Sequence, residues 1–253
     1  MSLPPWKLLA EELDRWNAAG RRLALWLRDD DAVAPSPALD RLSGLAEDFD
    51  VPVLLAVIPM QARPDLAPAL RAMPQLLPCQ HGVTHRNHAA ATGKKSEFGP
   101  ERPADQVDSE IAQGQERLHD LLGDAVLPVF VPPWNRIDPG HASRLGTLGF
   151  RGLSCFRNYR HGADGGPPLI NTDLDVMNWQ GGRIGRTGQD LLAELLPLLA
   201  QRRLDAAVPE SAFGLLLHHR DHDETAWTAL QDLLSVAAAH PAVRLADPRS
   251  LLA

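Results

Sequence analysis

The segment Gln80-His81-Gly82-Val83-Thr84-His85-Arg86-Asn87-His88 carries three imidazoles, and an apolar run well upstream ends on Asp29-Asp30-Asp31. Three imidazoles in one short segment are more nitrogen donors than a solvated loop needs. Three adjacent carboxylates repel one another unless a cation or a bound proton relieves them. A divalent cation between the two clusters would account for both, and the chemistry it brings is metal-assisted hydrolysis. His81 and His85 are four residues apart, a spacing that sets both rings on one side of a helical turn and lets either offer nitrogen to a metal. His88 continues that face as a ligand, a partner of a ligand or a substrate contact. A turn or a helix cap explains one of the three aspartates and has no use for the other two.

Two further clusters carry chemistry. His218-His219-Arg220-Asp221-His222-Asp223 follows an apolar run. A histidine held there, partly shielded and beside acids, suits a general acid, while Asp223 suits a helix cap. Strand-end register leaves open whether His218 or His219 faces the pocket. Pro132-Pro133-Trp134-Asn135-Arg136 joins a rigid turn to an aromatic plate and a fixed cation. Trp134 can line a sugar or acyl pocket, and Arg136 can hold a carboxylate in its ionised form. Asp173, Asp175 and Trp179 form a similar polar and aromatic set on what reads as a strand with an amphipathic edge.

The elements that must position these side chains alternate regularly. Residues 22–28 (RLALWLR) read as a strand and 36–48 as a helix, with Ser36-Pro37 as cap and first turn. Residues 51–58 (VPVLLAVI) are apolar almost throughout, as a parallel strand buried on both faces should be. A short helix over 64–72 and a strand over 75–80 lead into the histidines, and 89–103 reads as a long surface loop. A helix over 105–122 and a strand over 126–131 follow, and the alternation continues through 139–148, 150–155, 188–201, 213–218 and 223–239 to a last strand at 243–246. Strand–helix units with no linker give one α/β domain over residues 1–253 with a parallel sheet. About seven or eight such units close into a barrel, and every polar cluster then falls at its carboxyl-terminal mouth, where barrel enzymes do their chemistry.

Composition narrows the partners. A net charge of −7 and the lack of a dense basic block argue against nucleic acid. Glu11, Glu12 and Asp14 make the amino terminus an amphipathic helix and not a signal peptide, and no apolar run reaches the length of a membrane span. Cys79 and Cys155 lack zinc-type spacing and lie in or beside apolar runs, so buried free thiols in a reducing, cytoplasmic compartment are expected. A small molecule or saccharide is the remaining partner.

Taken in order, the clusters resemble the polysaccharide deacetylase family, the NodB-homology domain of the carbohydrate esterases (family 4). Arg28-Asp29-Asp30-Asp31-Ala32 resembles its first motif, a strand ending in Asp-Asp, and His81-Gly82-Val83-Thr84-His85 matches its His-x-x-x-His. Val131-Pro132-Pro133-Trp134-Asn135 corresponds to its Arg-Pro-Pro-Tyr-Gly-like turn, and Leu216-Leu217-His218 to its closing Leu-x-His. The resemblance implies a distorted (β/α)7-type barrel and a divalent metal held by one Asp and two His. Carried over residue by residue, it implies Asp31, His81 and His85 as metal ligands, Asp30 as catalytic base and His218 as catalytic acid. Three positions depart from the pattern. Val131 stands where the family has the arginine that pairs with the base, which leaves that role vacant or to Arg136. Asn135 replaces a glycine, and Gly82 replaces Ser or Thr. The chain resembles a divergent branch.

These residues together predict a metal-dependent hydrolase of a non-peptide amide C–N bond that removes acetyl from an N-acetylated sugar or related small molecule. Asp, His and His suit Zn2+ best, with Co2+, Ni2+ or Mn2+ as alternatives. Three protein ligands leave room for water and substrate, and a fourth from His88 would speak against catalysis. His88, Trp134, Arg136 and Trp179 are the expected substrate contacts. Alternatives are a hydrolase of another linear or cyclic amide or ureide on the same barrel, a silent carbohydrate- or metal-binding relative, and a barrel whose histidines are structural.

Overall fold

A strand with no polar face must be covered on both sides, and the first strand shows how this chain does it. The computed structural model describes residues 6–205 and 210–252. After helix α1 (Lys7–Ala18), strand β1 spans Arg22–Ala32. Leu23, Leu25 and Leu27 join a large cluster with residues of α1 and of α2 (Pro37–Asp48). Ala24 and Trp26 join a separate cluster with Leu54, Ala56, Cys79, Val129 and Val131. Alternation along the strand thus separates an outer helical coat from a barrel interior.

The chain continues through β2 (Val53–Val57), α3 (Leu66–Arg71), β3 (Leu76–His81), α4 (Ala104–Leu122), β4 (Leu127–Val131), α5 (Pro139–Arg144) and β5 (Gly152–Leu153). Three two-residue strands follow, β6 (Leu174–Asp175), β7 (Met177–Asn178) and β8 (Ile184–Gly185), then α6 (Gly188–Leu204), β9 (Glu210–Leu217), α7 (Glu224–Ala238) and β10 (Val243–Leu245). The strands of the main sheet are parallel, in the order β5-β4-β3-β2-β1-β9-β6, with β10 against β1. Residues 168–175 complete the ring irregularly. Leu169 and Thr172 bridge to Leu153 and Phe156 beside β5, whereas Leu174 and Asp175 pair with Leu215 and Leu216 of β9. The sheet is therefore the expected distorted (β/α)7-type barrel. No helix among the described residues is long and apolar enough to cross a membrane.

Caps fall where their side chains were read. Ser36 Oγ accepts from the Leu39 amide at 3.1 Å, and Asp223 Oδ1 accepts from the Ala226 amide at 2.9 Å. The segment 89–103 holds no helix or strand beyond a bridge from Phe98 to Ile137.

Candidate metal centre and catalytic cleft

The aspartate triplet lies inside β1, not after it, and the strand sends each carboxylate to a different place. Asp29 falls on the side of Leu27, Arg28 and Asp30 on the interior side of Trp26. Asp29 pairs with Leu55 and Ala32 with Val57, so β1 carries one extra residue between them. That bulge, with Asp31 at φ 75°, turns Asp31 into the barrel beside Asp30. Two consecutive residues of a regular strand could not both face inward.

Asp31, His81 and His85 offer ligand atoms that all lie within 4.8 Å of one another. Asp31 Oδ1 is 3.1 Å from His81 Nε2 and 3.2 Å from His85 Nε2. The two rings are not on a helical turn. His81 ends β3, Gly82 turns at φ 52°, and His85 swings back at φ 58°. A Cβ on residue 82 would sit 2.2 Å from Glu97 Oε2 and 2.6 Å from Pro133, which accounts for glycine where the family has Ser or Thr. Buried Glu97 fixes the turn by accepting from the amides of Val83 and Thr84.

The donor set fits a cation. His81 Nδ1 lies 3.0 Å from the Val131 carbonyl, a contact that requires the proton on Nδ1 and leaves Nε2 as a lone pair in the neutral ring. That lone pair then opposes the Asp31 carboxylate oxygen unless the His81 ring is protonated or a cation lies between them. Burial acts to raise the Asp31 carboxyl, but the hydrogen bonds from His81 and His85 hold it far below its ordinary value. Burial likewise opposes charge on His81, yet Asp30 and Asp31 raise it. Both shifts express a demand for positive charge at one point, and a divalent ion meets it with all three donors.

Asp30 is 2% exposed, and its partner is Arg28, from the same strand and the same face, which is fully buried. Nε donates to Oδ1 at 2.8 Å and Nη2 to Oδ2 at 3.0 Å, a two-point fork. The remaining donors reach Ser154 Oγ and O, Cys155 O and Asn135 Oδ1, so the guanidinium is fully engaged. Neither alternative read for the missing arginine holds. The role is not vacant, and Arg136 does not take it, because its guanidinium donates to the Lys95 carbonyl. Asn135, in place of the family glycine, is one of the groups holding Arg28.

Parity along β9 separates the two histidines. Phe213, Leu215 and Leu217 pack outward, while Leu216 and His218 line the cavity. His219 is turned away and bound to Asp29, with Nδ1 2.5 Å from Oδ1 and its amide donating to Oδ2 at 2.8 Å. His218 has Nδ1 4.0 Å from Asp175 Oδ1 and packs edge-on against Trp179, whose Nε1 donates to Asp175 Oδ2 at 2.8 Å. Burial raises the Asp175 carboxyl, with His218 acting in the other direction. Asp173, the other acid of that set, instead pairs with Arg202 at 2.5 Å.

Asp30, Asp31, His81, His85, Trp134, Arg136, Trp179 and His218 share one cavity of about 890 Å3, together with Asp175, Lys95 and Arg183. His88 is exposed and is not brought to it. Three residues along a helix would have carried His88 back to the site, but the turn at His85 carries it outward, where its amide pairs with the Ser96 carbonyl. Trp134 packs on His85 with ring centroids 4.5 Å apart. Among the described residues, non-glycine positive φ occurs at Asp31, Asp50, His85, Trp134, Asn135, Arg157 and Arg183, and all but Asp50 and Arg157 line this cavity. Strain concentrated at one cleft points to a functional site. Arg28 and Lys95 are not among the candidates that the sequence singles out, and Asp175 is singled out with Trp179 but not as a partner of His218. Only Arg28 had a usable signal, its two-residue spacing from Asp30.

No family model and no curated protein matches the sequence. Solved structures do match in fold. A Mycobacterium smegmatis protein assigned to the polysaccharide deacetylases superimposes with a TM-score of 0.68 at 17% identity, over 92% of this chain and 90% of that one. PuuE allantoinase gives 0.66 at 16% identity over 92% and 90%. A family 4 acetyl xylan esterase from Clostridium thermocellum, in complex with a cobalt ion, gives 0.55 at 14% identity over 91% and 90%. The chain has the barrel fold of the polysaccharide deacetylases and family 4 esterases.

Proposed function

We propose that this protein is a metal-dependent hydrolase of a non-peptide amide C–N bond that deacetylates an N-acetylated sugar or a related small molecule in the cytoplasm. One observation carries the reading: a three-donor cation site, a fork-held carboxylate and a histidine with an acid behind it open into one cavity. Asp31, His81 and His85 would hold the ion, and zinc suits them best. Bound there, it would polarise an amide carbonyl and lower the pKa of water. Asp30, oriented by Arg28, takes the proton of the attacking water. His218 donates a proton to the departing nitrogen, which must leave as a neutral amine. Asp175, 4.0 Å from His218 Nδ1, positions the ring. Trp134 and Trp179 wall the cavity beside His85 and His218 and would pack on the substrate.

A second reading on the same residues, hydrolysis of a cyclic amide or ureide, is favoured by the similarity to an allantoinase. The silent-relative reading rested on the vacant arginine, and Arg28 fills that place. Asp30→Asn tests the proposal. Acetate release from N-acetylated sugars should fall by about 10²-fold or more, with metal content retained. Full activity in that variant removes Asp30 as the base, and ammonia or urea release from a ureide panel in place of acetate selects the second reading.

A further inference from the structure

We infer that the substrate is an anion, an N-acylated amine such as an amino sugar acid, whose carboxylate is held at the cavity mouth by Arg136 and Lys95. The inference rests on the hydrolase reading above and names its substrate class. The cavity's acids are already engaged: Asp30 by Arg28, Asp31 by the two imidazoles, and Asp175 by Trp179 and His218. Its exposed bases are not balanced in the same way. Arg183 meets Asp221 at 2.9 Å, but Arg136 and Lys95 have no carboxylate partner among the described residues.

The Arg136 side chain is tied to the backbone of Lys95. Arg136 Nη1 donates to the Lys95 carbonyl at 2.9 Å, which leaves Nε and Nη2 of the guanidinium for a ligand. Lys95 Nζ lies 5.9 Å from the centre of the Trp134 ring, and the other neighbour of that ring is His85. Trp134 keeps this place at φ 56°, a conformation that a bulky residue adopts only under constraint. The order His85, Trp134, Lys95 puts the unpaired charge one indole ring from the proposed metal centre. A carboxylate there belongs to the same small molecule as the scissile amide, in a cavity of about 890 Å3. Both side chains line the cavity that holds the proposed metal centre, so a ligand bound there meets their charge. The planar guanidinium matches a carboxylate at two points.

The test compares N-acetylglucosamine with N-acetylglucosaminuronic acid, which differ in a hydroxymethyl against a carboxylate, on the metal-loaded enzyme. The acid should show a kcat/KM higher by about tenfold, carried by KM and shrinking as salt is added. The ratio between the two sugars should approach one in K95Q/R136Q and fall part of the way in K95Q alone. Measurable turnover with equal kcat/KM in the unaltered enzyme overturns the inference and leaves the deacetylase reading standing. If neither sugar is hydrolysed, the deacetylase reading fails for these sugars, and calorimetric titration of the same pair judges the inference by itself. Tighter binding of the acid, lost in K95Q/R136Q, supports it; equal or absent binding of the two overturns it.

Discussion

Replacing Arg28 should damage this protein twice, once in stability and once in rate. The guanidinium is wholly buried and Asp30 nearly so, and two charge-assisted bonds of 2.8 and 3.0 Å join them. Arg28→Met leaves a buried carboxylate unpaired and strips donors from Ser154, Cys155 and Asn135. Removing one member of a buried ion pair costs about 3–5 kcal/mol, a large share of the roughly 5–15 kcal/mol that holds a domain together. Arg28→Met/Asp30→Asn, which removes the charge as well as its partner, should recover most of that loss in urea unfolding. Arg28→Lys keeps a charge but loses the fork. It should fold with its metal content intact, and its kcat for acetate release should drop by about 10- to 100-fold with KM little changed. A fully stable Arg28→Met, or an Arg28→Lys with unaltered kcat, would refute the assignment of Arg28 as the residue that positions the base.

Asp175→Asn should lower kcat by about tenfold or more while leaving KM and metal content near their original values, because His218 loses the carboxylate that stands beside its Nδ1; an unchanged kcat would separate Asp175 from the acid. His222 supplies a pH test away from the proposed ligands. Burial pushes it down to about 4 from 6.5, so the unfolded chain takes up that proton first as pH falls. The contribution is whole above 6.5 and is lost on descending through 4, about 3 kcal/mol in all. The urea midpoint should therefore fall more steeply between pH 6.5 and 4 in the unaltered protein than in His222→Gln, which keeps an acceptor for the His218 amide. Parallel curves would show that His222 is not neutral in the native state.

Periodicity alone located most of this fold, because a barrel strand buried on both faces leaves a continuous apolar run and its helix a 3.6-residue pattern. The strand expected over 22–28 proved longer, reaching Ala32, since its last residues are polar and carry no hydrophobic signal. The bulge at Asp30 and Asp31 was illegible for a related reason: it is a property of how β1 registers against β2, not of either sequence. The same blindness placed His81 and His85 on a helical turn, where the structure brings them together through a strand end and a left-handed turn. His88 was misplaced with them. His218 and His219 could have been separated by counting parity from Phe213, once the outward face of β9 was known. Arg28 was within reach of the same reasoning, two residues from Asp30 on one strand face. The pairing of Asp175 with His218 was not, because β6 is a two-residue strand separated from β9 by 34 residues of chain, and no local pattern announces that the two strands meet.

The central claim is that Asp31, His81 and His85 hold a divalent ion on which hydrolysis depends. Its most direct test is elemental analysis of protein purified without added metal, paired with acetate release before and after chelation. The expected result is about one bound ion per chain, lost with activity on chelation, restored with it on readdition, and absent from His81→Ala/His85→Ala. Undiminished acetate release by protein shown to be free of metal would contradict the account.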